Sequence, residues 1–476
     1  MDKYKKLIYN TLTFGLGTFG SKILTFLMMP FYTKVLVDSV YSTSTLVANV
    51  ANLLMPIFSL GIASAVIRFG LDKKYDKPTI FTSALISIFA GCGVLFLISP
   101  LLFQIPFLAD VKKHALLILF YVLFAALKSS CSIFVRSMQY VKLFALDGVL
   151  STLVTVVLNL VFLGVFKMGV TGYVLSTILG DALSCVFLFF MGDLWKYIRF
   201  KGLHLLQNPT YRSMLRYSIP LMPTSLFWWI TNLSDRFVIL QYLSSSINGQ
   251  YEAASRIPTM IVLVSNIFTE AWQMSAVIEK DSADQSGFFS TVFKAFSSVM
   301  FFAASGLILV AKPVTNLLIN YPDAWKYVPL LIVATVYNCL ATYLGSVFAV
   351  KKKSVISMLT VVAGAGSNIA LNFLLIPRWG ANGAATATLL SYGIVFLMRV
   401  LASRNLIRIR IGLPRMVLNT AITCGQAYIL LHWEHWLLPC LGLFVLSTVV
   451  NLKPLLGQAK TLLARRNTPS LKKGEA

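Results

Sequence analysis

Charged side chains stand where the surrounding sequence is hydrocarbon-like. Residues 217–258 read YSIPLMPTSLFWWITNLSDRFVILQYLSSSINGQYEAASRIP. The adjacent acid and base Asp235-Arg236 interrupt one apolar run, and Glu252 and Arg256 sit in the run that follows the Asn248-Gly249 turn. Lys22 and Lys128 are embedded in the same way, as are Asp181, Glu270 and Arg399. Insertion scales put the cost of such a charge at about 2.5–3.5 kcal/mol, so it faces a polar cavity or a partner. Cations at this depth can hold an anion that has left water, and acids can carry a proton or sodium. Lys22, Lys128, Arg236 and Arg256 are therefore candidates for a cationic cavity, and Asp181, Asp235, Glu252 and Glu270 candidates for ion coupling. The structural alternative is that these groups balance one another or meet backbone carbonyls. Adjacent residues do not face each other on a helix, so Asp235 and Arg236 would find partners on neighbouring helices.

Other chemistries lack residues. His114, His204, His432 and His435 are scattered, and His432-Trp-Glu-His435 is too short for a zinc-protease spacing. The six cysteines stand singly with no metal-ligand spacing, so no metal or cofactor is expected. Gly15-Leu-Gly-Thr-Phe-Gly20 matches GxGxxG, but no strand precedes it and the segment is apolar throughout, which removes a nucleotide reading. Phe227-Trp228-Trp229 can stack on sugar rings or supply lipid-facing bulk. The longest loop, 192–216, cannot hold a catalytic domain, so the sequence does not read as an enzyme.

The elements that carry these charges are membrane helices. The chain has 476 residues, 57% hydrophobic and 12% charged, whereas soluble chains carry about 25% charged residues. Its apolar residues fall in blocks of about 20, the length of helix that crosses ~30 Å of hydrocarbon. Fourteen spans are expected, at 10–36, 45–67, 79–102, 115–135, 146–166, 170–191, 217–240, 249–278, 288–310, 328–350, 355–376, 384–403, 416–431 and 437–452. The N-terminal run is too long for a signal peptide and lacks a cleavage site, so it reads as the first span. The formal charge of +24 does not point to nucleic acid, because Lys and Arg alternate by loop. Loops holding Lys3, Arg68, Arg136, Lys196, Lys351 and Arg408 are strongly basic, and the intervening loops hold only Lys112, Lys113, Lys167, Lys312, Lys326 and Arg378. That pattern puts both termini and the 192–216 loop in the cytoplasm.

The chain also repeats. Ser64-Ala65-Val66-Ile67 recurs at Ser275-Ala276-Val277-Ile278 (275 − 64 = 211), and Leu158-Asn159 at Leu371-Asn372 (371 − 158 = 213). The Gly169-Val-Thr-Gly172 turn recurs at Gly380-Ala-Asn-Gly383 (380 − 169 = 211). Three matches at nearly one offset imply two six-span units; six being even, they are parallel repeats about an axis along the membrane normal. The lobes are 1–191 and 217–403, joined by the basic linker 192–216. Two extra spans at 404–454 and a basic tail at 455–476 follow. Gly15, Gly17 and Gly20 weaken the first span of one lobe, and Pro220 and Pro223 that of the other. Interrupted helices at matching places mark the site and hinges of a transporter.

At this point the residues resemble a family. FGLGTFGSKILTFLMMPFYTKVL at the start, SAVIRF at 64–69, SDRFVILQYLSSSINGQYEAASRIP at 234–258 and the turn from Leu371-Asn372 to Gly383-Ala384 are similar to polysaccharide biosynthesis proteins. These are O-antigen and capsule repeat-unit flippases of the multidrug/oligosaccharidyl-lipid/polysaccharide exporter superfamily. The resemblance implies an all-α protein of the bacterial cytoplasmic membrane, with two six-helix lobes around a cationic cavity. It implies transport of undecaprenyl pyrophosphate-linked oligosaccharide by alternating access, with polysaccharide assembly proteins and membrane lipid as partners. Val40-Tyr41-Ser42 departs from the family's Tyr-Gly at the turn after span one, while Gly249 keeps it in the second half. The competing readings are a cation-coupled multidrug exporter, whose cavity would be acidic, and a membrane glycan polymerase, which would need a polar catalytic loop.

Overall fold

The computed structural model describes residues 24–72, 74–105, 111–199, 208–219, 222–278, 285–351 and 353–467. Lys22, Gly15, Gly17, Gly20 and Pro220 lie outside the described residues. All regular structure among the described residues is helical. Two compact units emerge from the packing, one running to Ala253 and including Ile319–Tyr321, the other taking the rest.

The first unit contains α1 (Met29–Val35), α2 (Asp38–Phe58), α3 (Ile62–Gly70), α4 (Lys77–Leu102), α5 (Ala115–Ser137) and α6 (Val141–Asn159). A π-helical turn, Leu160–Val165, extends α6. Then come α7 (Gly169–Met191), α8 (Pro209–Ser218), α9 (Met222–Tyr242) and α10 (Ser245–Ala254). The second unit contains α11 (Thr259–Ile278), α12 (Gln285–Leu309), α13 (Ala311–Leu318), α14 (Val328–Val350), α15 (Ser354–Trp379), α16 (Ala381–Ser403), α17 (Leu413–His432) and α18 (Leu437–Asn467). Eight described helices (α4 to α7, α12 and α14 to α16) are long and apolar enough to span a bilayer, and α2 with α3 makes a ninth if bent pairs count. Each coincides with an expected span. The fold is that of an all-α integral membrane protein.

Two expected spans, the second and the eighth, are broken rather than continuous helices. The second is broken: α2 and α3 meet at 57°. Leu60 (φ 54°) and Gly61 (φ 56°) both adopt left-handed backbone, which ends α2. The repeated Ser64 to Ile67 segment therefore lies on α3, where Ala65 and Val66 are buried with Phe81 and Phe134. The eighth span divides at residues 255–258, with Arg256 in the turn rather than within a helix. Pro258 has no N–H to continue the ladder, and bonds of Ile257 N to Ala254 O and Met260 N to Ile257 O tighten the backbone there. Conversely, Asn248-Gly249 is not a turn; both stand inside α10, as Val40-Tyr41-Ser42 stands inside α2.

The repeat is visible in backbone geometry. Gly169 (φ 55°) and Gly380 (φ 59°) each take positive-φ backbone at the turn that opens the next span. Gly172 packs against Met168 and Leu163, and Gly383 against the Leu375 carbonyl, so a Cβ at either collides. Behind these turns sit buried amides at matching places, Asn159 and Asn372. The second unit's core is aromatic: Phe289, Phe293, Phe296 and Phe301 of α12 are buried, as is Tyr343 of α14. Phe96, Leu97, Leu183 and Val186 of the first unit point outward, as lipid-facing side chains do.

Candidate cationic transport site

Lys128 is the thirteenth residue beyond the start of α5 and the ninth before its end, which puts it near mid-span. Its Nζ lies 2.8 Å from Asp181 Oδ1 on α7 and 3.2 Å from Ser151 Oγ on α6. One ammonium thus ties three helices together. The side chains are 27% exposed for Lys128 and 13% for Asp181, so the pair is largely but not fully withdrawn from its surroundings. A second buried carboxylate stands beside it. Asp147 of α6 accepts a hydrogen bond from Ser184 Oγ of α7 and lies close enough to interact electrostatically with both Lys128 and Asp181. Helical spacing explains the grouping: Asp147 and Ser151 are i,i+4 on α6, and Asp181 and Ser184 are i,i+3 on α7. The sequence reading missed Asp147, which sits one residue inside an expected span edge. Its signal was the Ser151 four residues on.

The second unit repeats the tie with different chemistry. Arg399 of α16 is buried; its Nη1 donates to Ala341 O of α14 (2.6 Å) and its Nε to Thr360 Oγ1 of α15 (3.1 Å). These helices are the repeat counterparts of α5, α6 and α7. Gly345 supplies the space beside the guanidinium. No carboxylate among the described residues bonds to Arg399.

Asp235 and Arg236 find separate partners on one neighbouring helix. Arg236 Nε donates to Glu252 of α10, forming an ion pair, and the Tyr251 hydroxyl donates to Asp235 Oδ2 (2.9 Å). Two adjacent residues on α9 thus meet two adjacent residues on α10. Arg236, Glu252 and Asp235 are all withdrawn, the ion pair having side-chain exposures of 14% and 3%. Arg256, in the turn after α10, is half-buried. Glu270 lies on α11, and Pro223 and Phe227-Trp228-Trp229 on α9; their side chains are outside the description.

The start of α10 is fastened to the start of α2. Asp38 Oδ2 accepts from Ser246 Oγ (2.6 Å) and Gln250 Nε2 (3.3 Å), and Asn248 Nδ2 donates to Ser42 Oγ (2.8 Å). Gly249 rests on the Asp38 carbonyl, where a Cβ has no room. Residues 319–321 join the same cluster: Asn320 N donates to Thr33 Oγ1 (3.1 Å) and Tyr321 donates to Leu36 O (2.8 Å). Burial raises the Tyr321 phenol above its usual range, which keeps it a donor. Ser42, where the family pattern has Gly, is itself an acceptor in this fastening.

A cavity of about 150 Å³ opens at the bend between α2 and α3, lined by Ser59, Gly61, Ser64, Ser129 and Ser130. It has room for a few waters. Among the described residues no group of three His, Cys, Asp or Glu side chains is arranged to hold a metal.

The profile of the family described as "Polysaccharide biosynthesis protein" matches residues 7–273. This chain belongs to the polysaccharide biosynthesis protein family. Its fold is shared beyond the family. A solved structure of the lipid II flippase MurJ in an inward closed conformation superposes with a TM-score of 0.72 at 13% identity, covering 96% of this chain and 99% of that one. An outward-facing multidrug resistance MATE transporter of the MOP superfamily has a TM-score of 0.61 at 15% identity, with coverage of 85% and 96%. A mutant of the Vibrio cholerae MATE transporter VcmN gives 0.58 at 15% identity, with coverage of 84% and 97%. No curated protein sequence matches the chain. Identities this low establish a common fold, and the family membership ties that fold to polysaccharide biosynthesis.

Proposed function

We propose that this chain is a flippase that carries a lipid-linked oligosaccharide repeat unit across the bacterial cytoplasmic membrane by alternating access. The observation that carries the reading is Lys128, a mid-membrane ammonium in a member of this family, held by partners it can exchange. A lipid pyrophosphate must shed water to cross, and charge-assisted donors replace that water. Lys128 would leave Asp181 for a phosphate oxygen, and Lys22, Arg236 and Arg256 would complete the cationic path; Arg236 would have to leave Glu252. A carboxylate that loses its cation this way becomes easier to protonate, which gives Asp181 and Glu252 a coupling role; Asp235, beside Arg236 in the chain, and Glu270 of α11 are the further acids proposed for coupling. The moving bodies are the lobes 1–191 and 217–403, with hinges at Gly15, Gly17, Gly20, Pro220 and Pro223. The Asp38 fastening would seal the outer side, given cytoplasmic termini.

The fold likeness to MATE transporters is consistent with one second reading, a cation-coupled drug exporter. Deleting the gene separates the two. A flippase loss removes surface polysaccharide and strands its lipid-linked precursor on the inner leaflet, with drug tolerance unchanged. Intact surface polysaccharide with lowered drug tolerance would overturn the flippase reading.

A further inference from the structure

One face of α12 gathers cations that transport does not use. Ser286, Ser290, Lys294, Ser297 and Ser298 follow one another at helical spacing along it. The basic segment from Arg408 to Arg415, which leads into the first turn of α17, lies across that stripe and is held there by five hydrogen bonds. Ser286 Oγ donates to Arg408 O, and Arg410 N donates to Ser290 Oγ (2.8 Å). Arg415, in the first turn of α17, donates from Nη2 to Lys294 O (3.0 Å) and Ser297 Oγ (2.9 Å), and from Nη1 to Ser298 Oγ (3.0 Å). The backbones of Arg408 and Arg410 are pinned while both residues remain exposed.

Lys294, Arg408, Arg410 and Arg415, four positive charges, are therefore gathered where the N-terminal end of α17 meets α12. No ion pair to a carboxylate among the described residues offsets any of them. The helix dipole adds to the same sign there. The Lys294 ammonium bonds to nothing among the described residues, and Arg415 uses three of its five N–H donors. Fixed cations with spare donors call for an anion. Apolar side chains beside them say which kind. Leu413 and Val417 of α17 are each 60% exposed, on the helix that carries Arg415. At 25 residues, α12 runs about 37 Å, longer than the ~30 Å hydrocarbon core, so its start, where Ser286 and Ser290 hold Arg408 and Arg410, stands at the bilayer boundary, with Lys294 about 13 Å further along.

We propose that this stripe seats the phosphodiester of an anionic phospholipid of the cytoplasmic leaflet, with its acyl chains over Leu413, Val417 and Leu418. The assignment rests on the loop-charge orientation and is independent of what the protein transports. A soluble polyanion would satisfy the cations but would leave the apolar neighbours unused.

The test uses the purified full chain in nanodiscs of phosphatidylcholine, with phosphatidylglycerol as the probe, and reads retained lipid by native mass spectrometry. Lys294→Gln and Arg410→Gln remove charge without removing any side-chain bond described above. Each should lower phosphatidylglycerol retention about fivefold, the ratio for ~1 kcal/mol per cation near a membrane surface. Phosphatidylcholine retention should not change, and the control pair Lys351→Gln with Lys353→Gln should retain phosphatidylglycerol like wild type. Unchanged retention in the stripe variants would overturn the proposal, and so would an equal loss in the control pair. Displacement of phosphatidylglycerol by equimolar inorganic phosphate would make this a soluble-anion site and refute the lipid assignment.

Discussion

Replacing Lys128 by Gln removes a charge that both the transport reading and the packing depend on, and a double variant separates the two. Alone, Lys128→Gln leaves Asp181 on α7 without its cation and beside Asp147. Breaking a buried pair from one side costs about 3–5 kcal/mol. Lys128 is 27% exposed, which argues for the lower end, about 3 kcal/mol. That is roughly a hundredfold shift in a folding equilibrium. Lys128→Gln should therefore reach the membrane in reduced amount and melt earlier. Adding Asp181→Asn removes the stranded charge and should restore abundance to within about 1 kcal/mol of wild type. If Lys128 also receives the substrate phosphate, the restored double variant still fails to flip. Lys128→Arg, which keeps the charge but changes reach and geometry, should retain part of the activity. The assay is surface display of the glycan with membrane abundance matched to wild type. A double variant with wild-type abundance and wild-type display would refute the phosphate role, leaving Lys128 as a helix tie like Arg399. Normal abundance of Lys128→Gln alone would refute the pair energetics.

Three further outcomes are expected. Arg236→Gln should destabilise the protein by about 4 kcal/mol in thermal melts, with Glu252→Gln restoring most of the loss, since the ion pair is more withdrawn than that of Lys128; an unaltered melt for Arg236→Gln would contradict this. Asp38→Cys with Ser246→Cys should crosslink under oxidation, because the native side chains meet at 2.6 Å, and the crosslink should stop surface display until reductant is added; undiminished display from fully crosslinked protein would show that this contact never opens. Pro223→Ala, which returns a backbone donor to the first turn of α9, should slow flipping more than it weakens substrate binding; equal rates at matched abundance would remove the hinge.

The local pattern of the chain decided the broad architecture. Apolar blocks of bilayer length can be satisfied in lipid only as helices, so α4 to α7, α12 and α14 to α16 fall where hydropathy puts them. Glycine at the repeated turns was legible for the same reason: Gly169 and Gly380 take a backbone conformation that costs other residues energy. The sequence also marked Lys128, Asp181, Arg236 and Glu252 as costly charges, but it contained nothing that joined them. Lys128 and Asp181 stand 53 residues apart on different helices, and only the packing of α5, α6 and α7 turns them toward each other. Asp235 and Arg236 are chain neighbours that point about 100° apart on a 3.6-residue helix, so their partners had to come from α10. The breaks after Phe58 and Ala254 were likewise tertiary matters. Gly61 stands at the first break, but Leu60, a residue that rarely takes left-handed backbone, takes it too, and the hydropathy of residues 249–278 runs through a turn that Pro258 imposes on the hydrogen-bond ladder. Composition reports how much charge a membrane helix carries. Which charge answers which is set by helix rotation and packing, because an ion pair depends on a few ångströms in space rather than on distance along the chain.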